Sequence, residues 1–332
     1  MRPVEKRLSR LPSRLLRILI FCVCAGYVLW GMDWGEVARA FSRFGVAPML
    51  AAAAFSQLPL LPITWRLRFL TANRAGFPDA FRASLLCYGL NNILPAKLGE
   101  LAKALYLRKN SGINMGGGLG LIFWERFFDL NIILCIGLLS ALSFRYDAAV
   151  YSLAAVVGGA WVCIFLIRAF PGLTDRVIGR VPGMRLQALL GDIVQEVRQA
   201  TNTARIAVLG LWSALVWGCF LAAYYVVVAW VARLDLSAGQ ICLAFMIKAL
   251  SYAVPSSPGS LGVFEAAVIL SLGGFGVGKE TGLAVSLLLR LTHHVPQVLG
   301  GLAVMAASRL HFRDIRSLCA GRPAASPDPD RP

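Results

Sequence analysis

Apolar runs of about 16 to 29 residues, around the roughly 20 that cross a hydrocarbon core of about 30 Å, recur at residues 17–32, 46–65, 116–144, 148–167, 206–231 and 283–308. No water reaches the backbone inside such a core, so each N–H and C=O must be satisfied within its own segment, as an α-helix does. The expected fold is all-α, a multi-pass transmembrane bundle of about six full spans. Composition agrees: 58% of the 332 residues are hydrophobic, 15% are charged, and mean hydropathy is +0.67, outside the range of soluble domains. The net charge of +16 comes from basic residues spread through the loops between apolar runs. That distribution orients a chain on a membrane and gives no reason to expect a nucleic-acid partner.

Two further apolar stretches are interrupted. One reads Asn91-Asn92-Ile93-Leu94-Pro95-Ala96-Lys97-Leu98-Gly99-Glu100, the other Val254-Pro255-Ser256-Ser257-Pro258-Gly259-Ser260-Leu261-Gly262-Val263-Phe264-Glu265. Proline removes a helix donor and clashes with the preceding turn, so each stretch is expected to be two half-helices joined at Pro95 and Gly99, or at Pro255, Pro258, Gly259 and Gly262. Non-helical backbone at membrane depth is tolerated where it is buried in protein or lines a cavity. Both breaks are therefore candidate site-forming elements.

Basic residues set the path of each broken element. If residues 81–108 and 238–275 each return to their own side as re-entrant hairpins, most of the 33 basic residues fall on the cytoplasmic side, and Arg39, Arg43, Arg145, Arg233 and Lys279 fall outside. Both termini are then cytoplasmic, as the positive-inside rule prefers. A full crossing by either element would move later basic loops outward. The re-entrant arrangement makes the hairpins enter from opposite faces, as in many secondary transporters. The sequence likeness between them is slight.

The remaining segments are read more briefly. Residues 1–16 form a basic cytoplasmic N-terminus, and the absence of a small-residue cleavage site after residue 31 makes the first span an uncleaved helix rather than a signal peptide. Residues 17–308 make one transmembrane domain; within it, residues 34–44 have the spacing of a surface helix, and residues 168–205, with Leu189, Ile193 and Val197, read as an amphipathic cytoplasmic segment. The tail at 309–332 is basic, rich in proline and expected to be disordered. No Cys-x-x-Cys pair or Cys/His cluster is present, so neither a disulfide framework nor a metal site is expected, and no cofactor is expected. The run Gly273-Gly274-Phe275-Gly276-Val277-Gly278-Lys279 fits seven positions of a P-loop, but Glu280 stands where Ser or Thr is needed. It is read as a loop between membrane helices.

Ionised groups at membrane depth cost a few kcal/mol or more, so they face a partner or a wet cavity. Arg126 lies between Glu125 and Asp129, and Arg290 precedes His293-His294 in an apolar run. An Arg126–Asp129 ion pair would lock helices together; alternatively Lys97, Arg126 or Arg290 meets a lipid phosphate. Glu100 and Glu265 each follow a break in the first turn of a half-helix, where the helix dipole favours a carboxylate. Capping explains either one. The other reading is a proton or cation relay through Glu100, Glu125, Asp129, Glu265, His293 and His294.

The first break and Lys103 resemble the N-x-x-P-x-(R/K)-x-G-E signature of the lysylphosphatidylglycerol synthase transmembrane-region family, also called the flippase-like or UPF0104 family. Glu125-Arg126 with Asp129, the run from Pro255 to Glu265, and Arg290 with Pro296 and Gly300 follow in the family's order. The resemblance implies an integral protein of the bacterial inner membrane, related to the part of aminoacyl-phosphatidylglycerol synthases that moves the modified lipid between leaflets. The 332 residues hold no soluble aminoacyltransferase domain, so lipid handling without synthase activity is the expectation. The expected function is a flippase-like transporter whose headgroup sits in a polar groove between the two breaks. Asn91, Asn92, Ser256, Ser257 and Ser260, with Lys97, Arg126 and Arg290, would replace the headgroup's lost water. The cargo would be a membrane lipid: a phospholipid, an aminoacylated lipid, a polyprenyl-linked lipid or a hopanoid. Two alternatives are a non-transporting partner of a lipid-synthesis enzyme and a membrane-embedded lipid-modifying enzyme.

Overall fold

The computed structural model describes residues 11–94, 97–113, 115–143, 147–184, 203–254, 257–308 and 310–313, with 187, 190–191, 194–195 and 198 between them. Pro95, Pro255, Ser256, the heptad residues Leu189, Ile193 and Val197, the first ten residues and most of the tail lie outside that set. Among the described residues the fold is helical throughout, without a strand. This is the all-α bundle expected from the apolar runs.

The first helix, α1 (Leu11–Leu29), turns by 79° into α2 (Trp34–Ser42). Asp33 caps α2, accepting from the N–H groups of Gly35 at 2.8 Å and Glu36 at 3.0 Å. Two short helices, α3 (Val46–Phe55) and α4 (Leu60–Leu70), follow as one apolar run, Val46–Leu70, with a turn at residues 56–59. Next come α5 (Phe77–Asn91), α6 (Leu98–Ser111) and the 29-residue α7 (Met115–Ser143). After α8 (Asp147–Ala169) the chain bends by 101° into α9 (Pro171–Gly179). A long helix, α10 (Thr203–Tyr225), ends in a π-turn, Val226–Val231. The last part comprises α11 (Ala238–Ser251), α12 (Val263–Gly273) and α13 (Lys279–Leu289), which continues through a second π-turn, Arg290–His294, into α14 (Val295–Ala307).

Among the described residues, Val46–Leu70 and Ala204–Val231 are long and apolar enough to cross a membrane, and the two bent pairs raise that number to four. By contrast, α5 and α6 hold 15 and 14 residues, about 21–23 Å at 1.5 Å per residue, and neither alone crosses a bilayer. They run antiparallel. The Tyr106 hydroxyl donates to Asp79 at 3.1 Å near one end, and the Gly99 N–H donates to the Asn91 side chain at 3.0 Å at the other. The second pair, α11 and α12, is also antiparallel: Tyr252 touches Phe264 at the tip (ring centroids 5.7 Å apart), while Ile241 and Leu272 share a core cluster.

The two hairpins point in opposite directions. Lys109 donates to the Ser308 carbonyl at 3.0 Å, which puts the open end of the first hairpin beside the end of α14. Lys279 donates to the Trp30 carbonyl at 2.5 Å, which puts the open end of the second beside the end of α1. One apolar core surrounds α5, α6 and α7, through Leu86, Leu90, Tyr106, Trp124 and Phe128. The other surrounds α11, α12, α13 and the first π-turn, through Val227, Phe245, Val268 and Leu288. Leu19, Leu50, Leu139 and Leu211 are exposed on the outer surface while Arg66, Lys103, Glu125 and Asp129 are buried. Apolar residues outside and charges inside suit a protein whose surroundings are hydrocarbon.

Close backbone approach seats the first hairpin on α14. Gly89 and Gly301 cross so tightly that a Cβ on Gly89 would lie 2.8 Å from the Gly301 Cα. Small residues at such crossings let membrane helices touch backbone to backbone.

Candidate functional site: a charged cavity between two hairpin tips

The tips of the hairpins meet. A Cβ added to Gly259 would lie 2.6 Å from the Asn92 carbonyl oxygen, and Gly259 has φ +64°, a conformation that glycine adopts without penalty. Beside this contact is a cavity of about 640 Å³, walled by Asn91, Asn92 and Lys97 of the first tip and Ser257, Gly259 and Ser260 of the second. Lys97 and Ser260 both sit in the left-handed region, with φ of 54° and 53°. Non-glycine residues held there are strained by about 1–3 kcal/mol and concentrate at functional sites.

Several of the expected headgroup donors shape the breaks themselves. Asn91 accepts the Gly99 N–H, and a Cβ on Gly99 would run into the Cys87 carbonyl, so this hairpin requires glycine there. The Ser257 hydroxyl donates to the Leu261 carbonyl at 2.8 Å. Asn92 reaches Gln297 at 3.5 Å.

One wall of the cavity is a ladder of ion pairs. Arg126 on α7 faces Glu100 of the first half-helix at 3.0 Å and Asp129 at 3.4 Å. Asp129 has a nearer partner in Arg66 of α4, at 2.5 Å, and also accepts from the Trp217 indole at 3.0 Å. Arg66 also donates to the Ser213 hydroxyl at 2.9 Å. One turn away, Lys103 pairs with Glu125 in full burial. Removing one member of a buried pair strands the other and costs about 3–5 kcal/mol, so the ladder ties α4, α6, α7 and α10 together. Arg126, 38% exposed at its side chain while its partner Asp129 is 5% exposed, opens onto the cavity.

The second tip repeats part of this plan. Glu265 is the third residue of α12 as Glu100 is of α6, and each pairs with an arginine on the next long helix: Glu265 with Arg290, Glu100 with Arg126. The use made of the arginine differs. Arg290 also donates to the carbonyls of Gly259 at 3.0 Å and Ser260 at 3.4 Å and lies over the Phe264 ring at 4.7 Å. Glu265 in turn accepts the Gly262 N–H at 2.7 Å. Arg290 thus braces the second break from behind and is not part of the cavity wall. Its three nitrogens are engaged by the protein, which leaves little of it for a headgroup.

His293 and His294 lie on the second π-turn, a geometry frequent at functional sites. The Ser56 carbonyl, 3.1 Å from His293 Nδ1, only accepts, so that nitrogen carries the proton and Nε2 receives the Gln297 amide at 3.4 Å. His294 Nε2 meets the Tyr252 hydroxyl at 2.7 Å. Through Gln297 and Tyr252 the adjacent histidines therefore touch one hairpin tip each, Asn92 on one side and the end of α11 on the other.

Sequence reasoning passed over four contributors. Lys248 lines the cavity with its ammonium over the rings of Tyr224 at 5.2 Å and Phe245 at 4.8 Å. Its signal was present: a single cation in an apolar run. Arg17, the first residue of the first apolar run, also lines the cavity. Arg66, one residue past the apolar run at 46–65, is 1% exposed. Gln297 carried no motif.

The fold and the cavity define a class: a helical integral membrane protein in which two opposed hairpins enclose a charged cavity at their tips. The chain matches the lysylphosphatidylglycerol synthase TM region over residues 14–301 and belongs to that family. It is similar to the UPF0104 membrane protein MJ1078 of Methanocaldococcus jannaschii, 27% identical over 217 residues that make up 64% of this chain and 91% of that protein.

Proposed function

We propose that this protein moves a lipid or lipid-linked molecule between the leaflets of a bacterial cytoplasmic membrane, with both termini in the cytoplasm. The observation that carries the reading is the cavity of about 640 Å³ at the meeting point of two opposed hairpin tips. Exposed apolar residues, Leu130 and Val254, stand on its rim. A headgroup enters the cavity while its tails stay in the bilayer, and Asn91, Asn92, Lys97, Arg126, Ser257 and Ser260 take the place of its water. Replacing that hydration matters because each unpaired polar group costs several kcal/mol in an apolar medium.

Six full crossings and two re-entrant hairpins make up the proposed topology. The repeated pattern of break, third-residue glutamate and arginine on the next helix supports two related halves of opposite orientation, the arrangement that lets one half rock against the other around a fixed site. Arg290, Glu265, Pro258 and Gly262 hold the second tip in place; Gly99 and Asn91 hold the first. Glu100, Glu125, Asp129, His293 and His294 form the polar connections through which protonation would couple to movement. The test uses purified protein in vesicles carrying fluorescent lipids and a membrane-impermeant quencher. Quenching beyond the outer leaflet is expected for at least one lipid class. Quenching equal to that of protein-free vesicles for every class sinks the proposal.

A further inference from the structure

Charges at the cavity do not balance. The carboxylates of the ladder, Glu100, Glu125 and Asp129, are matched by Arg126, Lys103 and Arg66, and Glu265 is matched by Arg290. Three more cations line the same cavity: Arg17 on α1, Lys97 at the first tip and Lys248 on α11. Among the described residues none of these three lies within ion-pair distance of a carboxylate. We infer that the cavity is selective for a lipid carrying a terminal phosphate, with Arg17, Lys97 and Lys248 as its counter-charges. The inference rests on the lipid-moving function proposed above and names the class of cargo.

Placement supports it. The three cations come from separate elements that surround the cavity, so they converge on one ligand rather than line one helix. The Lys248 ammonium is held on aromatic faces, which steady a cation without neutralising it. An ammonium at membrane depth without a counter-ion is unfavourable, and an arriving anion removes that penalty. A phosphate monoester carries about −1.5 to −2 charges near neutral pH, and several cations match it better than one. A zwitterionic headgroup brings its own cation into an already positive cavity. A lysylated headgroup brings two amines against one phosphodiester charge, so it is net positive and is repelled more strongly. The charge pattern therefore favours phosphatidate-like or polyprenyl-phosphate-like lipids over zwitterionic ones and disfavours lysylated ones most.

The experiment measures binding and transport separately on the full chain in detergent and in vesicles. Binding of short-chain phosphatidic acid, phosphatidylglycerol, phosphatidylcholine and lysyl-phosphatidylglycerol is read by fluorescence of Trp217, which lines the cavity. Phosphatidic acid is expected to bind tightest and to weaken as salt is raised. Lys248→Gln is expected to weaken phosphatidic acid about tenfold, the usual effect of losing a charged hydrogen bond, and to weaken phosphatidylcholine, whose headgroup is net neutral, by clearly less. Lys248→Arg is expected to restore most of the affinity. If Lys248→Gln does not fold, the exposed Lys97→Gln provides the same comparison. Equal affinity for all four lipids, or an unchanged Lys variant, overturns the inference. Displacement of the lipid by inorganic phosphate at equal concentration overturns its lipid half, because tails would then contribute nothing. A protein that moves lipids without charge preference refutes the selectivity alone; one that binds phosphatidic acid selectively but moves no lipid refutes the transport reading alone.

Discussion

Alanine at Gly259 is the sharpest probe of the contact between the hairpin tips. Gly259 sits at φ +64°, where a Cβ is disfavoured by about 1–2 kcal/mol. That Cβ would also lie 2.6 Å from the Asn92 carbonyl oxygen, so the tips must part by about 0.8 Å to reach the 3.4 Å of an ordinary contact. Overpacking of this kind costs about 1–3 kcal/mol. The two effects together amount to about 2–5 kcal/mol, enough to shift the tip and to break the 3.0 Å bond from Arg290 to the Gly259 carbonyl. The segment has no straight form to escape into, because α11 and α12 are antiparallel and a continuous helix would pull Phe264 and Val268 out of their core. Gly262→Ala is the intermediate case, since its φ is +81° but its nearest neighbour is 3.4 Å away, and Gly273→Ala is the control, with nothing within 4 Å. The expected order of damage, in melting temperature and in lipid movement at matched protein amount, is 259, then 262, then 273. Wild-type transport and melting for Gly259→Ala would refute the tip contact as a working part of the site.

Asp129→Asn is expected to destabilise the protein by about 3–5 kcal/mol, because Arg66 loses its carboxylate in full burial; the paired change Arg66→Met with Asp129→Leu should recover much of the melting temperature, and no recovery would mean the ladder is not the cause. Arg126→Lys keeps the charge but loses the fork that spans Glu100 and Asp129, so transport should fall while the protein still purifies, and full activity would reduce Arg126 to a counter-ion. In a cysteine-free background, single cysteines at Ser111 and Asp235 are expected to label from opposite faces, the first cytoplasmic and the second external; labelling of position 111 from outside would make the first hairpin a full crossing and dissolve the opposed pair.

What the sequence determined by itself was local and periodic. Long apolar runs dictate helices in a medium without water, and proline, glycine and polar residues inside such a run dictate a break, so the all-α bundle and the positions of both hairpins were readable from residue order alone. The glutamate after each break was readable too, because a helix start and a carboxylate are neighbours in sequence. Tertiary structure decided which charges face which. Arg126 and Arg290 look alike in sequence, yet Arg126 opens onto the cavity while Arg290 is turned inward onto the carbonyls of Gly259 and Ser260. Asp129 had an obvious partner three residues away, but its closest is Arg66, 63 positions distant. Lys248, Arg17 and Gln297 enter the site only because α11, α1 and α14 converge there. A pairing between distant segments depends on how helices cross, and crossing is set by shape, as where Gly89 meets Gly301. No period along the chain encodes it.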